Sequence, residues 1–153
     1  IVLNTLAEQY HYPVIVSTHP RTRKRLENLD GFKFNSLIQF LKPFSFTDYN
    51  FLQMHSACVI SDSGTISEES AILKFPAITI RNSMERPEAI DAGTIILTGF
   101  DPEIVLKSIQ ISMEDGANYE KICPEYEIDN FSMRVLKIIL GTAKLHKQWS
   151  GLY

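Results

Sequence analysis

Short runs of apolar, mostly β-branched residues alternate along the chain with segments of roughly ten residues whose apolar positions recur at helical spacing. The β-branched runs are typical of strands buried in a sheet, and they occupy residues 13–18, 36–41, 57–60, 76–80 and 94–98. Helices are predicted over residues 1–10, 20–29, 65–73 and 101–114, and from a cap at Ser45 or Thr47 to residue 56. The alternation predicts an α/β protein whose parallel sheet is covered by helices on both faces.

The last third of the chain is predicted to end in a helix of its own. An Asp-Pro pair at 101–102 opens a helix, because Asp suits the N-cap and Pro the first helical position. An acidic connector over 116–129 then leads to a final helix over about 130–147, capped by Asn130. Since neither repeats nor linkers interrupt the sequence, we predict a single domain over 1–153.

The composition is that of an ordinary globular protein, with 44% hydrophobic and 22% charged residues. The formal net charge of −3 argues against a general nucleic-acid binder, and no apolar run approaches the roughly 20 residues that cross a bilayer. We therefore expect neither nucleic acid nor membrane as a partner. Two cysteines are too few for a disulfide scaffold, which favours the cytoplasm. The chain begins at Ile1, within a helical pattern, and we interpret it as a piece of a longer protein.

Positive charge is concentrated near the start of the chain. Residues 1–42 contain six Lys or Arg and three Asp or Glu, whereas residues 85–129 contain three Lys or Arg and eleven Asp or Glu. Four of the cations lie within residues 21–25, directly after the first predicted strand. This cluster is either an anion site at a strand-to-helix junction or the solvated first turn of a helix, and the sequence favours neither.

The segment after the third predicted strand is the densest set of candidate ligand-binding residues. Ligands of parallel sheets bind beyond the carboxyl ends of the strands, and residues 61–69 there are Ser-Asp-Ser-Gly-Thr-Ile-Ser-Glu-Glu. Gly64 permits close backbone approach, and Ser63 and Thr65 add hydroxyls to the N–H groups of a new helix, as a phosphate requires. Glu69 is suited to accept two hydrogen bonds from a ribose diol. The alternative is an ordinary capped turn whose glutamates complement the helix dipole.

A second candidate loop follows the next strand, at residues 81–89, and should lie beside the first. Its two arginines would donate charge-assisted hydrogen bonds to phosphate. Alternatively, they pair with Glu85 and Glu88 inside the loop. No His, Cys or Asp cluster has the spacing of a metal site, so no metal is expected, and no serine lies in a nucleophile elbow.

The run from Ser61 to Gly99, SDSGTISEESAILKFPAITIRNSMERPEAIDAGTIILTG, resembles the non-hydrolysing UDP-N-acetylglucosamine 2-epimerases. The shared pattern is Asp-Ser-Gly, a Glu-Glu pair, a proline before an apolar strand, Arg-x-x-x-Glu-Arg-Pro-Glu and Ala-Gly-Thr. Residues 13–20 and 42–49 are similar to the family's strand ending in His and to its uracil-side loop. The resemblance implies a three-layer Rossmann-like domain, the C-terminal half of a two-domain protein of the glycosyltransferase-B type.

The resemblance also implies that this chain holds the UDP-binding residues, whereas the family's catalytic carboxylates lie in the other domain. The implied UDP ligands are Ser63, Gly64 and Thr65 at the diphosphate, Glu69 at the ribose, Arg86 closing the site and Tyr49 beside uracil. His19 matches a His that contacts a second, regulatory UDP-sugar in some bacterial members. We expect the full-length protein to be a cytoplasmic homodimer.

The implied reaction is epimerisation at C2 of a UDP-2-acetamido sugar, by anti elimination of UDP to a 2-acetamidoglycal and re-addition of UDP. This scheme implies no cofactor. Thr65 stands where the family has a second glycine, and Ser67 where it has Gln. The threonine at 65 and the string Ser-Thr-His-Pro-Arg-Thr-Arg at residues 17–23 resemble the branch that acts on UDP-2-acetamido-2,6-dideoxyhexoses in capsule and O-antigen synthesis. The implied substrate is UDP-GlcNAc or such a deoxy sugar. Two alternatives stay open: the donor-nucleotide domain of a glycosyltransferase-B enzyme, and a non-catalytic nucleotide-sugar-binding module. This chain alone is expected to be inactive.

Overall fold

The computed structural model describes residues 1–28, 31–115 and 123–151. The strands are β1 (Val14–Ser17), β2 (Ile38–Leu41), β3 (Val59–Ser61), β4 (Ala77–Thr79) and β5 (Ile96–Leu97). The helices are α1 (Val2–Tyr10), α2 (Pro20–Glu27), α3 (Phe46–Met54), α4 (Ile66–Leu73), α5 (Pro87–Asp91), α6 (Pro102–Asp115), α7 (Phe131–Thr142) and α8 (His146–Trp149). A single 3-10 turn, Pro124–Tyr126, precedes α7. All five predicted strands are present, whereas α5 was not predicted, because five residues are too few to show helical periodicity.

Every strand pairing is parallel, which confirms the predicted α/β class. The pairings form two sheets among the described residues, β1-β2 and β3-β4-β5, where the sequence predicted one. Val14 pairs with Ile38 in the first sheet, and Ile78 pairs with both Ile60 and Ile96 in the second. Each parallel pair is joined by a crossover that contains a helix, as parallel strands require.

The apolar core connects α1 and α6 with strands of both sheets. Leu6, Ile78, Val105 and Ile109 form its buried centre. Partly buried side chains packed against this centre come from α1, β1, β3, β5 and α6 and from the residue after β4, and they include Val14, Ile60, Ile80 and Met113. The three residues of β4 are all buried, as expected for the central strand of its sheet. This packing holds the carboxyl ends of β3 and β4, where the two candidate loops begin.

Side-chain caps fix the starts of α3 and α6. The Ser45 hydroxyl accepts a hydrogen bond from the Asp48 N–H, so Ser45 rather than Thr47 caps α3. Asp101 Oδ1 accepts from the N–H groups of Glu103 and Ile104, which confirms the predicted cap of α6. Each such cap satisfies a backbone donor that the helix itself leaves unpaired.

Residue contacts divide the chain into two compact units, Ile1–Cys123 and Pro124–Tyr153. In the second unit, the predicted helix over 130–147 is wrong in its extent, because a turn at 143–145 separates α7 from α8. Asn130 precedes α7 but makes no side-chain cap; it takes the left-handed conformation (φ 57°), which Asn tolerates better than most residues. A unit of roughly thirty residues is below the size that usually folds alone, so the single domain stays a prediction.

The predicted acidic connector over 116–129 lies only partly within the described residues, which resume at Cys123. Among the helices that the structure describes, none combines the length and the apolar character needed to cross a membrane.

Candidate functional site

The loop between β3 and α4 is held by its own hydroxyl groups. The Ser61 hydroxyl accepts from the Ser63 N–H at 3.0 Å, and the Ser63 hydroxyl lies 3.0 Å from that of Thr65 and accepts weakly from its N–H. Thr65 is the N-cap residue of α4 but makes no side-chain cap. The first turn of α4 therefore directs its unpaired N–H groups outward beside two exposed hydroxyls.

Arg86 brings the second candidate loop onto the first. A Cβ atom added to Gly64 would collide with the Arg86 guanidinium and would lie 3.6 Å from Arg81 Nη1. Gly64 is therefore needed for close approach rather than for an unusual backbone angle. Two guanidinium groups meet the start of α4, as the strand-exit rule predicted for neighbouring loops.

Each arginine has an acidic partner. Arg81 pairs with Glu85 at 2.9 Å within the loop, as one alternative from the sequence proposed. Arg86 instead pairs through Nε with Glu68 on α4, and both side chains are about one-third exposed. The other carboxylate oxygen of Glu68 is buried without a hydrogen-bond partner in the described structure. The internal clamp is thus confirmed for Arg81 with Glu85, and Arg86 also pairs with a glutamate of the first candidate segment.

Glu69 faces α3 rather than the arginines. Its Oε2 accepts a hydrogen bond from Gln53 Nε2 at 2.8 Å, and Gln53 is only 3% exposed. Sequence reasoning missed Gln53, although it lies one helical turn after Tyr49 in a mainly apolar segment, where a polar residue signals a specific partner.

Tyr49 lies within electrostatic range of the same carboxylate. Burial is the main cause that raises the pKa of the Tyr49 phenol, and the negative charges of Glu69 and Asp62 raise it further. The structure therefore brings Tyr49, Gln53 and Glu69 together on one side of α4, and Arg86 and Glu68 to the loop beside Gly64. Among the described residues, no cluster of three His, Cys, Asp or Glu side chains is placed to hold a metal.

His19 lies after β1, also at a carboxyl strand end, but its ring caps the helix that follows it. It is the N-cap of α2, and its Nδ1 accepts from the Arg21 N–H at 3.3 Å. An open depression of about 540 Å³ lies nearby, and its lining residues are Thr18, Pro20, Arg23, Lys24, Glu27, Lys42 and Pro43. His19 does not line this depression, and its contact with a regulatory UDP-sugar stays a prediction.

Known proteins resemble this chain in sequence and in fold. A family model described as UDP-N-acetylglucosamine 2-epimerase matches residues 1–140. The chain belongs to this family. A curated UDP-N-acetylglucosamine 2-epimerase from Methanocaldococcus jannaschii is 35% identical over 118 residues, which are 75% of this chain and 32% of that protein.

Solved structures of the family agree in fold. The UDP-N-acetylglucosamine 2-epimerase of Rickettsia bellii superposes with a TM-score of 0.82 at 45% identity, over 96% of this chain and 41% of that one. The Neisseria meningitidis enzyme bound to UDP-GlcNAc superposes with a TM-score of 0.66 at 28% identity, over 92% of this chain and 40% of that one. The chain thus spans between a third and two-fifths of the length of these relatives.

Proposed function

We propose that this chain is the UDP-binding part of an enzyme that epimerises C2 of a UDP-2-acetamido sugar. The observation that carries the proposal is the Arg86 guanidinium against Gly64 at the start of α4, in a chain of the epimerase family. A related structure, that of the Methanocaldococcus jannaschii enzyme, contains UDP-GlcNAc and UDP. Family membership favours this function over the donor domain of a glycosyltransferase.

The diphosphate would lie at the start of α4. The N–H groups of Gly64 and Thr65, the Ser63 hydroxyl and the Arg86 guanidinium all meet there, and each is a donor to phosphate oxygen. These donors support the phosphate interpretation of this loop, although the Ser61 and Ser63 hydrogen bonds are also those of an ordinary turn.

The nucleoside would extend along α4 towards α3. Glu69 is five residues beyond Gly64, which corresponds to a rise of about 7.5 Å at 1.5 Å per residue, the size of the step from diphosphate to ribose. Glu69 Oε1 has no hydrogen bond within the described structure and is available to the ribose hydroxyls. Tyr49, which lies within electrostatic range of Glu69, would then lie beside uracil.

The residues of this chain would act on the leaving group. When the C1–O bond breaks, negative charge develops on the UDP diphosphate, and Arg86 with the α4 N–H groups would stabilise it. The C2 proton leaves in the same elimination and returns on the opposite face before UDP adds back to C1. None of the site residues described above is assigned to that proton, and UDP must stay bound while the glycal is free.

The finer points rest on the resemblance alone. We propose that the sugar is UDP-GlcNAc or a UDP-2-acetamido-2,6-dideoxyhexose, that the product serves cell-surface polysaccharide synthesis in the cytoplasm, and that the whole protein is a homodimer. Analytical ultracentrifugation of the whole protein would test the homodimer, and product analysis with both sugars would test the substrate.

A binding and exchange experiment tests the central proposal. We expect calorimetry to detect UDP binding to this chain, whereas incubation with UDP-GlcNAc in deuterated water yields no deuterium at C2, because no acid–base group of the reaction is assigned here. A longer protein that carries this chain should incorporate deuterium at C2. A folded chain that does not bind UDP would contradict the nucleotide site. Deuterium above a heat-killed control would contradict the assignment of catalysis to another part.

A further inference from the structure

Two neighbouring carboxylates on α4 are held by partners of different charge. Glu68 pairs with the Arg86 guanidinium, which offsets its negative charge. Glu69 is held by the amide of Gln53, which is a neutral donor and leaves that charge in place. A carboxylate whose charge is not offset makes a stronger hydrogen bond to a hydroxyl than an ion-paired carboxylate does. Glu69 is therefore the stronger hydrogen-bond acceptor of the two for a ligand hydroxyl.

Gln53 is an unusual residue for its position. It is 3% exposed on α3, and its Oε1 is buried with no hydrogen-bond partner in the described structure. A buried polar group without a partner costs stability, so an apolar side chain of similar length would suit packing better. The hydrogen bond from Nε2 to Glu69 Oε2, at 2.8 Å, is the interaction that the amide provides and an apolar residue would not.

The same hydrogen bond restricts the orientation of the carboxylate. With Oε2 engaged by Gln53, Glu69 Oε1 is the oxygen left to accept from a ligand. Tyr49 lies one turn before Gln53 on α3, and the pKa of its phenol is raised mainly by burial and further by the charge of Glu69. One helix therefore contributes both the predicted uracil-side ring and the amide that fixes the predicted ribose acceptor.

We infer that Gln53 is a positioning residue that orients Glu69 towards the ribose hydroxyls, and thereby sets a preference for ribonucleotides over nucleotides without those hydroxyls. This inference rests on the proposed function. Gln53 acts through Glu69 and does not itself contact the nucleotide.

The test compares two ligands that differ only in the hydroxyls that Glu69 would bind. UDP and 2′,3′-dideoxy-UDP are titrated by calorimetry into the parent chain, Gln53→Met and Glu69→Gln. The matched control is Gln110→Met, since Gln110 Nε2 donates to Glu114 Oε1 at the same 2.8 Å on α6, where both residues are exposed. The quantity measured is the ratio of the two dissociation constants.

The parent should prefer UDP, and Gln53→Met should reduce that preference by about fivefold through weaker UDP binding, with dideoxy-UDP affinity unchanged. Glu69→Gln should reduce the preference further, and Gln110→Met should match the parent. An unchanged preference for UDP in Gln53→Met, which includes an equal loss of affinity for both ligands, would overturn the inference. If Glu69→Gln still reduces the preference in that case, the ribose role of Glu69 stays intact. No change in Glu69→Gln would overturn both.

Circular dichroism and the thermal unfolding midpoint establish that each variant folds. If Gln53→Met does not fold, Gln53→Asn replaces it, because its amide keeps the polarity and is one methylene too short to reach Glu69 in the same geometry. Loss of the UDP preference in Gln53→Asn would support the inference, and an unchanged preference would overturn it.

Discussion

Replacing Glu69 by glutamine separates its predicted role from that of its neighbour. The substitution preserves size, and the new carbonyl still accepts from Gln53 Nε2, so the packing of α4 on α3 should survive. What is lost is the negative charge on the oxygen that faces the ribose. A hydrogen bond to a charged group contributes about 1.5–3 kcal/mol, so the dissociation constant for UDP should rise by roughly tenfold to a hundredfold.

Glu68→Gln is the matched control, one position earlier on the same helix. Its carbonyl can still accept from Arg86 Nε, and both side chains of this pair are about one-third exposed, where ion pairs contribute about 0–1 kcal/mol. Removing the negative charge of Glu68 also leaves the positive charge of Arg86 uncompensated, which favours binding of a diphosphate. We therefore expect the dissociation constant for UDP to change by less than about fivefold.

Isothermal titration calorimetry with UDP measures both effects, after circular dichroism has shown that each variant is folded. The ribose role of Glu69 is refuted if Glu69→Gln binds UDP as tightly as a parent chain that demonstrably binds it. The reasoning is equally refuted if Glu68→Gln loses as much affinity as Glu69→Gln, because the two carboxylates would then not differ in role.

Two further predictions concern Gly64 and Cys58. Gly64→Ala places a methyl group against the flexible Arg86 guanidinium, so UDP affinity in calorimetry should fall by about tenfold with little change in the unfolding midpoint; unchanged affinity would contradict the contact. Burial raises the pKa of the Cys58 thiol from 9.0 to about 12, so native Cys58 should resist iodoacetamide at pH 8, and rapid labelling of the folded chain would count against its burial. The stability linked to this thiol is fully present below pH 9 and is lost as pH rises towards 12. The free energy of unfolding should therefore decline less steeply with rising pH in Cys58→Ala than in the parent chain.

Local sequence patterns were sufficient to predict most helices and strands and the two candidate loops. β-branched runs bounded by glycine, proline and capping residues predict strands because burial and backbone preference act within a few residues. The order of strands and helices then predicts that loops at the carboxyl ends of β3 and β4 are neighbours, and the contact of Arg86 with Gly64 confirms it. The family resemblance of residues 61–99 was equally a property of the sequence.

Partner choice was decided only by the tertiary structure. The sequence allows either carboxylate of the Glu-Glu pair to face either arginine, and the packing of α4 selects Glu68 for Arg86 and leaves Glu69 to Gln53, sixteen residues away. The division into two sheets and the short α5 likewise depend on tertiary contacts that no periodic pattern encodes. Local propensity reflects near neighbours in the chain, whereas the direction of a buried amide depends on which distant groups the core brings within hydrogen-bond reach.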